Sequence, residues 1–576
     1  MNGKVLVSGV SIILVVGVAI GVVVVVNKKD SSDPELAAHQ KNLKSICQVT
    51  ENPQLCHDTL NSVKPANSSD PTAYFAAAVA ASAKSVIGAL NMSDRLTIEH
   101  GDKNPGVHMA LDDCKDLMEF ALDSLEASAN LVRDNHIQAI HDQIPDFRNW
   151  LSAVISYQQS CTEGFDSDTK GEDQVKELLK TESLDQMEKL TGMTLDIVTS
   201  MTHILQTFDL KMDLNPASRR LLDVNELDNE GLPTWFSISD RKLLSKTNNG
   251  GNPPPNVVVA KDGSGKFKTV KEAIDSYPKD FKERYIIYVK AGVYDEYITI
   301  PKKSINILMY GDGPTKTIVT GHKNFVDGVK TMQTATFANV ANGFIAKSMA
   351  FENTAGPEKH QAVAFRNQGD MTAFFDCAMH GYQDTLYVQT NRQFYRNCEI
   401  SGTVDFIFGA SPTLIQNSKI VIRKPGPNQF NTVTADGTKQ RSMATGIVLQ
   451  NCEIVAESAL QPVRFEFKSY LGRPWKEYSK TVVMESNIGD LIQPEGWSVW
   501  DGTQFLDTLY YAEYANTGPG ADVSKRVNWK GYHPNINSNE AAQFTAGQFL
   551  RAGPTGKADD WLKATGIPYT IGFTKA

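Results

Sequence analysis

The sequence predicts a multidomain chain in which an all-α helical bundle precedes an all-β parallel β-helix. Two observations lead to this fold class. Apolar residues recur at helical spacing between residues 40 and 210, and short β-rich segments recur about every 20 residues after residue 370. The length of 576 residues also exceeds what one hydrophobic core ordinarily organises, which favours two or more domains.

The first domain, residues 38–210, is predicted to be helical because its apolar residues return every three or four positions. This spacing is carried by Leu111, Cys114, Met118, Ala121, Leu122, Leu125 and Ala129, and again by Trp150, Val154, Tyr157 and Cys161. Glycine is scarce in this region and strand-like alternation is weak. These features together predict a bundle of helices.

The second domain, residues 256–576, contains an internal repeat in which a small residue returns at one phase. Its positions are Cys377, Cys398, Ser418, Cys452 and Ser486, with steps of 21, 20, 34 and 34 residues. Coils of about 20 residues, the later ones carrying long loops, are typical of a parallel β-helix whose small residues stack. The three cysteines would then form an internal, structural ladder. The competing fold is a β-sandwich, which would not keep this phase.

Residues 1–30 are predicted to be a membrane-targeting segment. An apolar run of 22 residues, Val5 to Val26, has Lys4 before it and Lys28 and Lys29 after it. The run is long enough to cross a bilayer and lacks a clear cleavage site, so we favour an uncleaved signal anchor over a cleaved signal peptide. Both alternatives place the chain in the secretory pathway, and basic residues on both sides leave the orientation open.

The cysteines of the first domain are even in number. They are Cys47, Cys56, Cys114 and Cys161, and in an oxidising compartment they indicate two disulfides. The three downstream cysteines are odd in number, which argues against complete pairing there. Sequons at Asn67 and Asn91 are candidate glycosylation sites.

Charge is divided unevenly along the chain. Residues 1–244 carry 21 Lys+Arg against 35 Asp+Glu, a balance of −14, and residues 245–576 carry 36 against 31, a balance of +5. The basic half suits a polyanionic ligand, although so small a surplus over so many residues is also unremarkable. We expect no nucleic-acid partner.

Residues 211–255 are predicted to be a processing linker. They hold two similar tetrads, Arg219-Arg220-Leu221-Leu222 and Arg241-Lys242-Leu243-Leu244, and end in an Asn/Gly/Pro-rich run. Proteases cut exposed linkers, although dibasic pairs also arise by chance. We expect cleavage after Leu244.

The repeat brings two acids to the same phase of successive coils. Asp384 lies seven residues after Cys377, and Asp405 lies seven residues after Cys398. Neighbouring parallel strands are about 4.8 Å apart, so the two carboxyl groups should face each other. Paired carboxyls have unequal pKa values, which supplies a proton donor and a nucleophile together. Surface acids are more often solvated, but these two lie beside apolar runs.

Four further side chains are candidates for the same site. Gln361 lies 22 residues before Gln383, about one coil, and two amide donors beside a carboxyl pair could hold an oxyanion. The alternative is that these glutamines satisfy buried backbone groups. Arg473 could keep Asp405 ionised, and Trp475 could stack on a sugar face. Since no Cys/His cluster has ligand spacing, we expect no metal and no other cofactor.

Five motifs in the second domain resemble the plant-type pectin methylesterases. They are Gly292 to Glu296, Gln361 to Ala364, Gln383 to Leu386, Asp405 to Gly409 and Tyr470 to Trp475. The resemblance covers nearly all of residues 256–576. It implies a right-handed parallel β-helix that hydrolyses the methyl esters of homogalacturonan in the cell wall.

The resemblance also implies a role for each matching residue. Asp405 would be the nucleophile and Asp384 the general acid/base, with Gln361 and Gln383 on the oxyanion side. Arg473 and Trp475 would contact substrate, and Thr331 matches a substrate-contacting position less securely.

The first domain is similar to the pectin methylesterase inhibitor domain in the segments around its four cysteines and in Leu111 to Cys114 and Trp150 to Cys161. This similarity implies a four-helix bundle with disulfides Cys47–Cys56 and Cys114–Cys161. It further implies a pro-region, removed at the basic tetrads by a subtilase-type protease, which inhibits the catalytic domain or assists its export. Separate inhibitor proteins are further candidate partners.

One departure and two rival functions remain. Many relatives have a cysteine where Ser418 stands, so Cys398 is expected to be a free thiol here. A glycosidase or lyase acting on pectin would also use a β-helix, and glycosidases use paired acids. A catalytically silent inhibitor or wall-binding protein is the other rival, and the complete set of expected catalytic positions argues against it.

Overall fold

The computed structural model describes residues 34–63, 70–101, 104–165, 169–208, 252–553 and 558–575. These residues belong to two compact units, the first helical and the second built mainly of strands. The predicted anchor, both dibasic tetrads and the sequon residue Asn67 lie outside the described residues.

The described part of the first unit is all-α, as predicted. Its helices are α1 (Pro34–Cys47), α2 (Pro53–Leu60), α3 (Pro71–His100), α4 (Pro105–Asp134), α5 (Ile137–Asp142), α6 (Ile144–Glu163), α7 (Lys170–Leu179), α8 (Asp185–Thr199) and α9 (Met201–Thr207). A short π-helix, Lys180–Leu184, joins α7 to α8.

Three of these helices begin at the same kind of sequence signal. A proline occupies the first turn of α2, α3 and α4, and the residue before it is Asn52, Asp70 or Asn104. Each of these side chains accepts a hydrogen bond from a backbone N–H of the first turn. Both features favour helix initiation, because the N–H groups of the first turn have no partner within the helix.

Helices α3, α4, α6 and α8 pack side by side as a four-helix bundle. The apolar stripe predicted on α4 is buried, including Leu111, Met118 and Leu125. Two disulfides staple the unit, Cys47 to Cys56 and Cys114 to Cys161, which confirms the pairing implied by the family resemblance.

Helix α3 has the length and apolar composition of a membrane span, and it is the one such helix in the described part of the chain. Its buried residues, among them Tyr74, Phe75 and Leu96, lie in the core of the unit. The sequon residue Asn91 lies on the exposed side of the same helix.

The described part of the second unit is a right-handed parallel β-helix, as predicted. Sheet 1 contains β1 (Val257–Val259), β2 (Tyr285–Val289), β5 (Ile307–Tyr310), β8 (Ile345–Lys347), β11 (Thr372–Phe375), β14 (Gln393–Arg396), β17 (Pro412–Gln416), β20 (Gly446–Gln450), β23 (Lys480–Met484), β25 (Tyr510–Tyr514) and β26 (Tyr532–His533). Sheet 2 contains β3 (Gly292–Asp295), β6 (Thr317–Gly321), β9 (Ala350–Asn353), β12 (Ala378–His380), β15 (Glu399–Gly402), β18 (Lys419–Ile422), β21 (Glu453–Ala456) and β24 (Asn487–Ile488). Sheet 3 contains β4 (Ile298–Ile300), β7 (Phe337–Asn339), β10 (Phe365–Asn367), β13 (Leu386–Val388), β16 (Ile407–Gly409), β19 (Asn431–Asp436) and β22 (Ser469–Gly472).

Short helices complete the second unit. The α-helices are α10 (Val270–Asp275), α11 (Ser538–Ala542), α12 (Ala546–Phe549) and α13 (Ala558–Ala564), and the 3₁₀ turns are Thr331–Thr334, Pro357–Lys359, Gln461–Val463 and Val523–Lys525. Leu550 and Leu562 belong to the apolar cluster that covers the outer face of sheet 1. That face therefore has no free apolar surface beneath them.

The predicted small-residue ladder lies at the turn from sheet 1 to sheet 2. Cys377, Cys398 and Cys452 are buried, free thiols, and the N–H of Cys398 donates to the hydroxyl of Ser418 at 3.0 Å. The residue before each ladder position has a left-handed backbone, for example Asn397 with φ +53°. Asparagine tolerates this conformation better than most residues, which explains the recurrent Asn-Cys and Asn-Ser pairs.

Candidate active site

Asp384 and Asp405 lie at the same position of two neighbouring coils. Strands β13 and β16 pair with Leu386 opposite Ile407, so the residues two places earlier are also in register. The N–H of Asp384 donates to the carbonyl of Val404 at 3.0 Å. Both aspartates have left-handed backbones, with φ of +63° and +49°. The register that the repeat predicts is therefore present.

The turns that carry the two acids are short, whereas the equivalent turns on either side are long. Residues 381–385 and 403–406 connect sheet 2 to sheet 3 at the acids. The neighbouring connections, 322–336, 354–364, 423–430 and 457–468, are two to four times as long. The acids consequently lie at the floor of a depression between loops. On one flank these loops meet, because Gln429 Nε2 donates to the carbonyl of Pro357 at 3.2 Å.

Asp405 is held as a carboxylate by three side-chain donors. Arg473 donates from Nε to Oδ1 at 2.8 Å and from Nη2 to Oδ2 at 2.6 Å. The hydroxyl of Thr432 also donates to Oδ1, at 2.6 Å. Burial opposes the charge on Arg473, but the pairing with Asp405 outweighs it, and the pKa of Arg473 is raised. A bidentate guanidinium in a buried site is a strong stabiliser of the ionised acid.

Asp384 has the opposite electrostatic setting. Burial raises the pKa of Asp384 well above its usual range, and the negative charge of Asp405 raises it further, against a lowering by Arg473. The side chain is 8% exposed. Asp384 is therefore a neutral acid at neutral pH beside an ionised Asp405. One carboxyl can donate a proton while the other attacks.

The two glutamines lie on adjacent coils next to the acids. The carbonyl of Gln383 accepts the N–H of Ala362 at 3.2 Å, so Gln383 is opposite Ala362 and one position away from Gln361. The 22-residue spacing thus corresponds to neighbouring coils with an offset of one residue. Gln361 Oε1 is buried and has no hydrogen-bond partner among the described residues.

An aromatic cluster borders the acids on the sheet 3 side. Tyr387 and Phe408 stack with centroids 4.3 Å apart, and Trp475 meets Phe408 edge-on at 5.9 Å. Met332 packs against the same cluster, which places its neighbour Thr331 at the edge of the depression. Trp475, Arg473, Thr331 and the two acids are therefore brought together.

Several residues of the site were not predicted from the sequence. Thr432 occupies, on β19, the position that Asp405 occupies on the preceding coil, but a spacing of 27 residues hides it. Trp500 lies 4.4 Å and Phe430 5.6 Å from the Arg473 guanidinium carbon, measured to their ring centroids. Both aromatic residues lie outside the repeat, so no periodic signal could locate them.

Comparison with known proteins agrees with this arrangement. Residues 256–553 match the family described as Pectinesterase, and residues 41–197 match the family described as Plant invertase/pectin methylesterase inhibitor. A "Probable pectinesterase/pectinesterase inhibitor 13" of Arabidopsis thaliana is 42% identical over 93% of this chain and 83% of its own length. "Pectinesterase 4" of the same plant is 40% identical over 100% of both chains.

A solved structure, "Pectin methylesterase from Carrot", is also similar. It is 52% identical, with a TM-score of 0.54, over 56% of this chain and 99% of its own length. The similarity extends over the part of the chain that forms the β-helix. The chain therefore belongs to the pectinesterase family and carries, ahead of the pectinesterase domain, a domain of the plant invertase/pectin methylesterase inhibitor family.

Proposed function

We propose that the β-helical unit hydrolyses the methyl esters of homogalacturonan, releasing pectate and methanol. The observation that carries this proposal is the unequal carboxyl pair, a neutral Asp384 in register with an ionised Asp405. Family membership and the filled positions of the site support catalysis over a silent wall-binding role.

In the first step, Asp405 attacks the carbonyl carbon of the ester. Oδ2 is the better nucleophile of the two oxygens, because it accepts one charge-assisted hydrogen bond while Oδ1 accepts two. A bond forms between Oδ2 and the ester carbon, and negative charge moves to the ester oxygen. Gln361 and Gln383 donate to that oxygen.

In the second step, the bond to the methoxy oxygen breaks and Asp384 gives its proton to the departing methanol. The product is an anhydride between Asp405 and the galacturonate carboxyl. Asp384 then takes a proton from water as the water oxygen attacks the same carbon. The bond to Asp405 breaks, and both carboxyls return to their starting states.

The polymer lies along the depression between the long loops. Trp475 stacks on a sugar ring, while Thr331 at the opposite edge contacts the same chain of sugars. The guanidinium of Arg473, already paired with Asp405, orients the nucleophile toward the ester.

We also infer the life history of the chain. The inhibitor-like unit is a pro-region that a subtilase-type protease removes at the basic tetrads, and the mature enzyme acts in the extracellular cell wall. The precursor is held at the membrane by residues 1–30. N-terminal sequencing of the secreted form tests this: Ser245 as first residue supports it, and Met1 or Asp30 would refute it.

Product analysis tests the activity itself. Incubation with highly methyl-esterified homogalacturonan is expected to release one methanol for each new carboxylate, without new reducing ends or unsaturated products. Reducing ends without methanol would identify a glycosidase, and unsaturated uronides would identify a lyase. An Asp384→Asn enzyme is the matched control, because it keeps the shape of the site but not its acid.

A further inference from the structure

Asp436 is a buried acid that the mechanism above does not use. It is the last residue of β19, lies opposite Gly409 and is fully buried. Its Oδ1 accepts two backbone hydrogen bonds, from the N–H of Thr438 at 3.0 Å and from the N–H of Lys480 at 2.6 Å. Its Oδ2 is buried without a hydrogen-bond partner among the described residues. An acid kept in such a place is costly unless its acceptor is needed.

The bond to Lys480 closes the segment that carries Arg473 and Trp475. This segment, residues 473–480, leaves sheet 3 after β22 and enters sheet 1 at β23. Its first residue is fixed by the N–H of Arg473, which donates to the carbonyl of Thr434 at 3.0 Å. Its end is fixed by Lys480 on Asp436 and by the N–H of Tyr478 on the carbonyl of Thr438 at 3.0 Å.

The residue after Asp436 is the seat of the indole. A Cβ placed on Gly437 would lie 3.0 Å from Trp475 Cε3, which leaves no room for a side chain. The N–H of Gly437 donates to the carbonyl of Gly409 at 2.8 Å. Movement of the backbone at 436–438 would therefore move the surface on which Trp475 rests.

We propose that Asp436 is a positioning residue for substrate binding. By holding the backbone at Thr438 and Lys480, its carboxyl group fixes the place of Trp475 relative to Asp405. The proposal rests on the proposed function, since it takes Trp475 to be the sugar contact. Asp436 acts through the segment and does not itself touch substrate.

The strength of this clamp depends on pH. Burial raises the pKa of Asp436 to about 6, against lowering contributions from Thr438 and Lys480. The charged and titratable groups that face it are Lys480 on β23 and the phenol of Tyr511 on β25, whose pKa is raised well above its usual range, chiefly by burial. Tyr511 therefore stays neutral. Because hydrogen bonds to a carboxylate are stronger than those to a neutral acid, the clamp weakens as pH falls through about 6.

Steady-state methanol release from esterified homogalacturonan between pH 5 and pH 8 tests the proposal. Asp436→Ala is expected to raise KM about tenfold, the effect of about one lost hydrogen bond, and to change kcat less than about threefold. Asp436→Asn keeps an acceptor but cannot ionise, so its KM should lose the rise that the wild-type enzyme shows below pH 6. Unchanged KM in Asp436→Ala, or a wild-type pH profile in Asp436→Asn, would overturn the proposal.

Glu485→Gln is the matched control. Glu485 is another buried acid of the β-helix and accepts the backbone N–H groups of Thr574 and Lys575, which lie in the C-terminal segment rather than in 473–480. Its substitution should leave KM unchanged. Hydrogen exchange of the Lys480 amide gives a readout that needs no activity, and it should accelerate in Asp436→Ala but not in Glu485→Gln. Should the alanine variant fail to fold, the pH profile of Asp436→Asn decides.

A double-mutant cycle separates this proposal from the proposed function. If Asp436 acts through Trp475, the variant with both residues changed to alanine should have the KM of Trp475→Ala alone. Additive increases would refute the positioning role and leave the sugar contact intact. Unchanged KM in Trp475→Ala would refute the sugar contact, and with it the positioning role.

Discussion

Thr432 and Asp405 form a reciprocal pair of hydrogen bonds between neighbouring coils. The hydroxyl of Thr432 accepts the N–H of Asp405 at 2.8 Å and donates to Oδ1 of the same residue at 2.6 Å. One hydroxyl thus fixes both the backbone and the carboxylate of the proposed nucleophile. Because it occupies Oδ1, it also directs Oδ2 to be the attacking oxygen.

Removal of this hydroxyl should slow the reaction. Thr432→Val keeps the shape of the residue but neither hydrogen bond, and we expect kcat to fall about tenfold, as for one lost charge-assisted bond. Thr432→Ser should retain most of the activity. Steady-state methanol release compares the two variants, and equal activity in Val and Ser would contradict the assigned role.

Arg473 should not be replaceable by lysine. Both nitrogens of its fork reach the Asp405 carboxylate, and a single ammonium cannot reproduce that geometry. We expect Arg473→Lys to lose at least about 100-fold in kcat/KM, close to the loss in Arg473→Ala. Wild-type activity with lysine would show that positive charge alone suffices. Lys476→Ala, which removes a neighbouring exposed cation, is a suitable control.

The pH dependence of activity should follow the acid form of Asp384. Its raised pKa means that the proton donor persists at neutral pH and is lost as pH rises through that pKa. Activity should therefore fall on the alkaline side, and Asp384→Asn should lose about 100-fold or more at every pH. A wild-type pH profile in the Asp384→Asn enzyme would contradict this assignment.

The same pKa shift predicts a change in stability. A carboxyl whose folded-state pKa is raised binds its proton more tightly in the folded state, so its contribution to stability is present at low pH and is lost as pH rises. Asp384→Asn should therefore raise Tm at pH 8 more than at pH 4. Thermal melts of both proteins at the two pH values measure this, and a larger gain at pH 4 would reverse the sign.

The three ladder cysteines should be unreactive in the native protein. Burial raises the pKa of Cys398 and of Cys452 to about 12, and raises that of Cys377 as well. We expect no reaction with a thiol reagent in buffer and three titratable thiols in denaturant without reductant, since four of the seven cysteines are paired. Rapid native labelling would show that the ladder opens.

The parts of the fold predictable from the sequence are those governed by periodicity. The step of 21 residues from Cys377 to Cys398 recurs between Asp384 and Asp405 because no loop intervenes, so spacing alone places both acids in register. The helical stripe through Leu111 and Leu125 is equally local, since each contact lies one helical turn from the next.

The parts that could not be predicted depend on loops. The excursion at 423–430 breaks the period between Asp405 and Thr432, and that at 457–468 separates the two acids further from Arg473. Trp500 reaches Arg473 from an irregular segment whose path no repeat constrains. The role of Asp436 needed its backbone partners, which are close in space but separated in sequence by 44 residues.

The most direct test of the account is the early release of methanol by Asp405 variants. Asp405→Ala and Asp405→Asn, each shown by circular dichroism to keep the β-helical fold, are mixed with esterified homogalacturonan in single-turnover conditions. The account predicts no methanol above the uncatalysed rate in either variant, while the wild-type enzyme releases it within one turnover. Release by either variant at a rate near that of the wild-type enzyme would contradict covalent attack by Asp405.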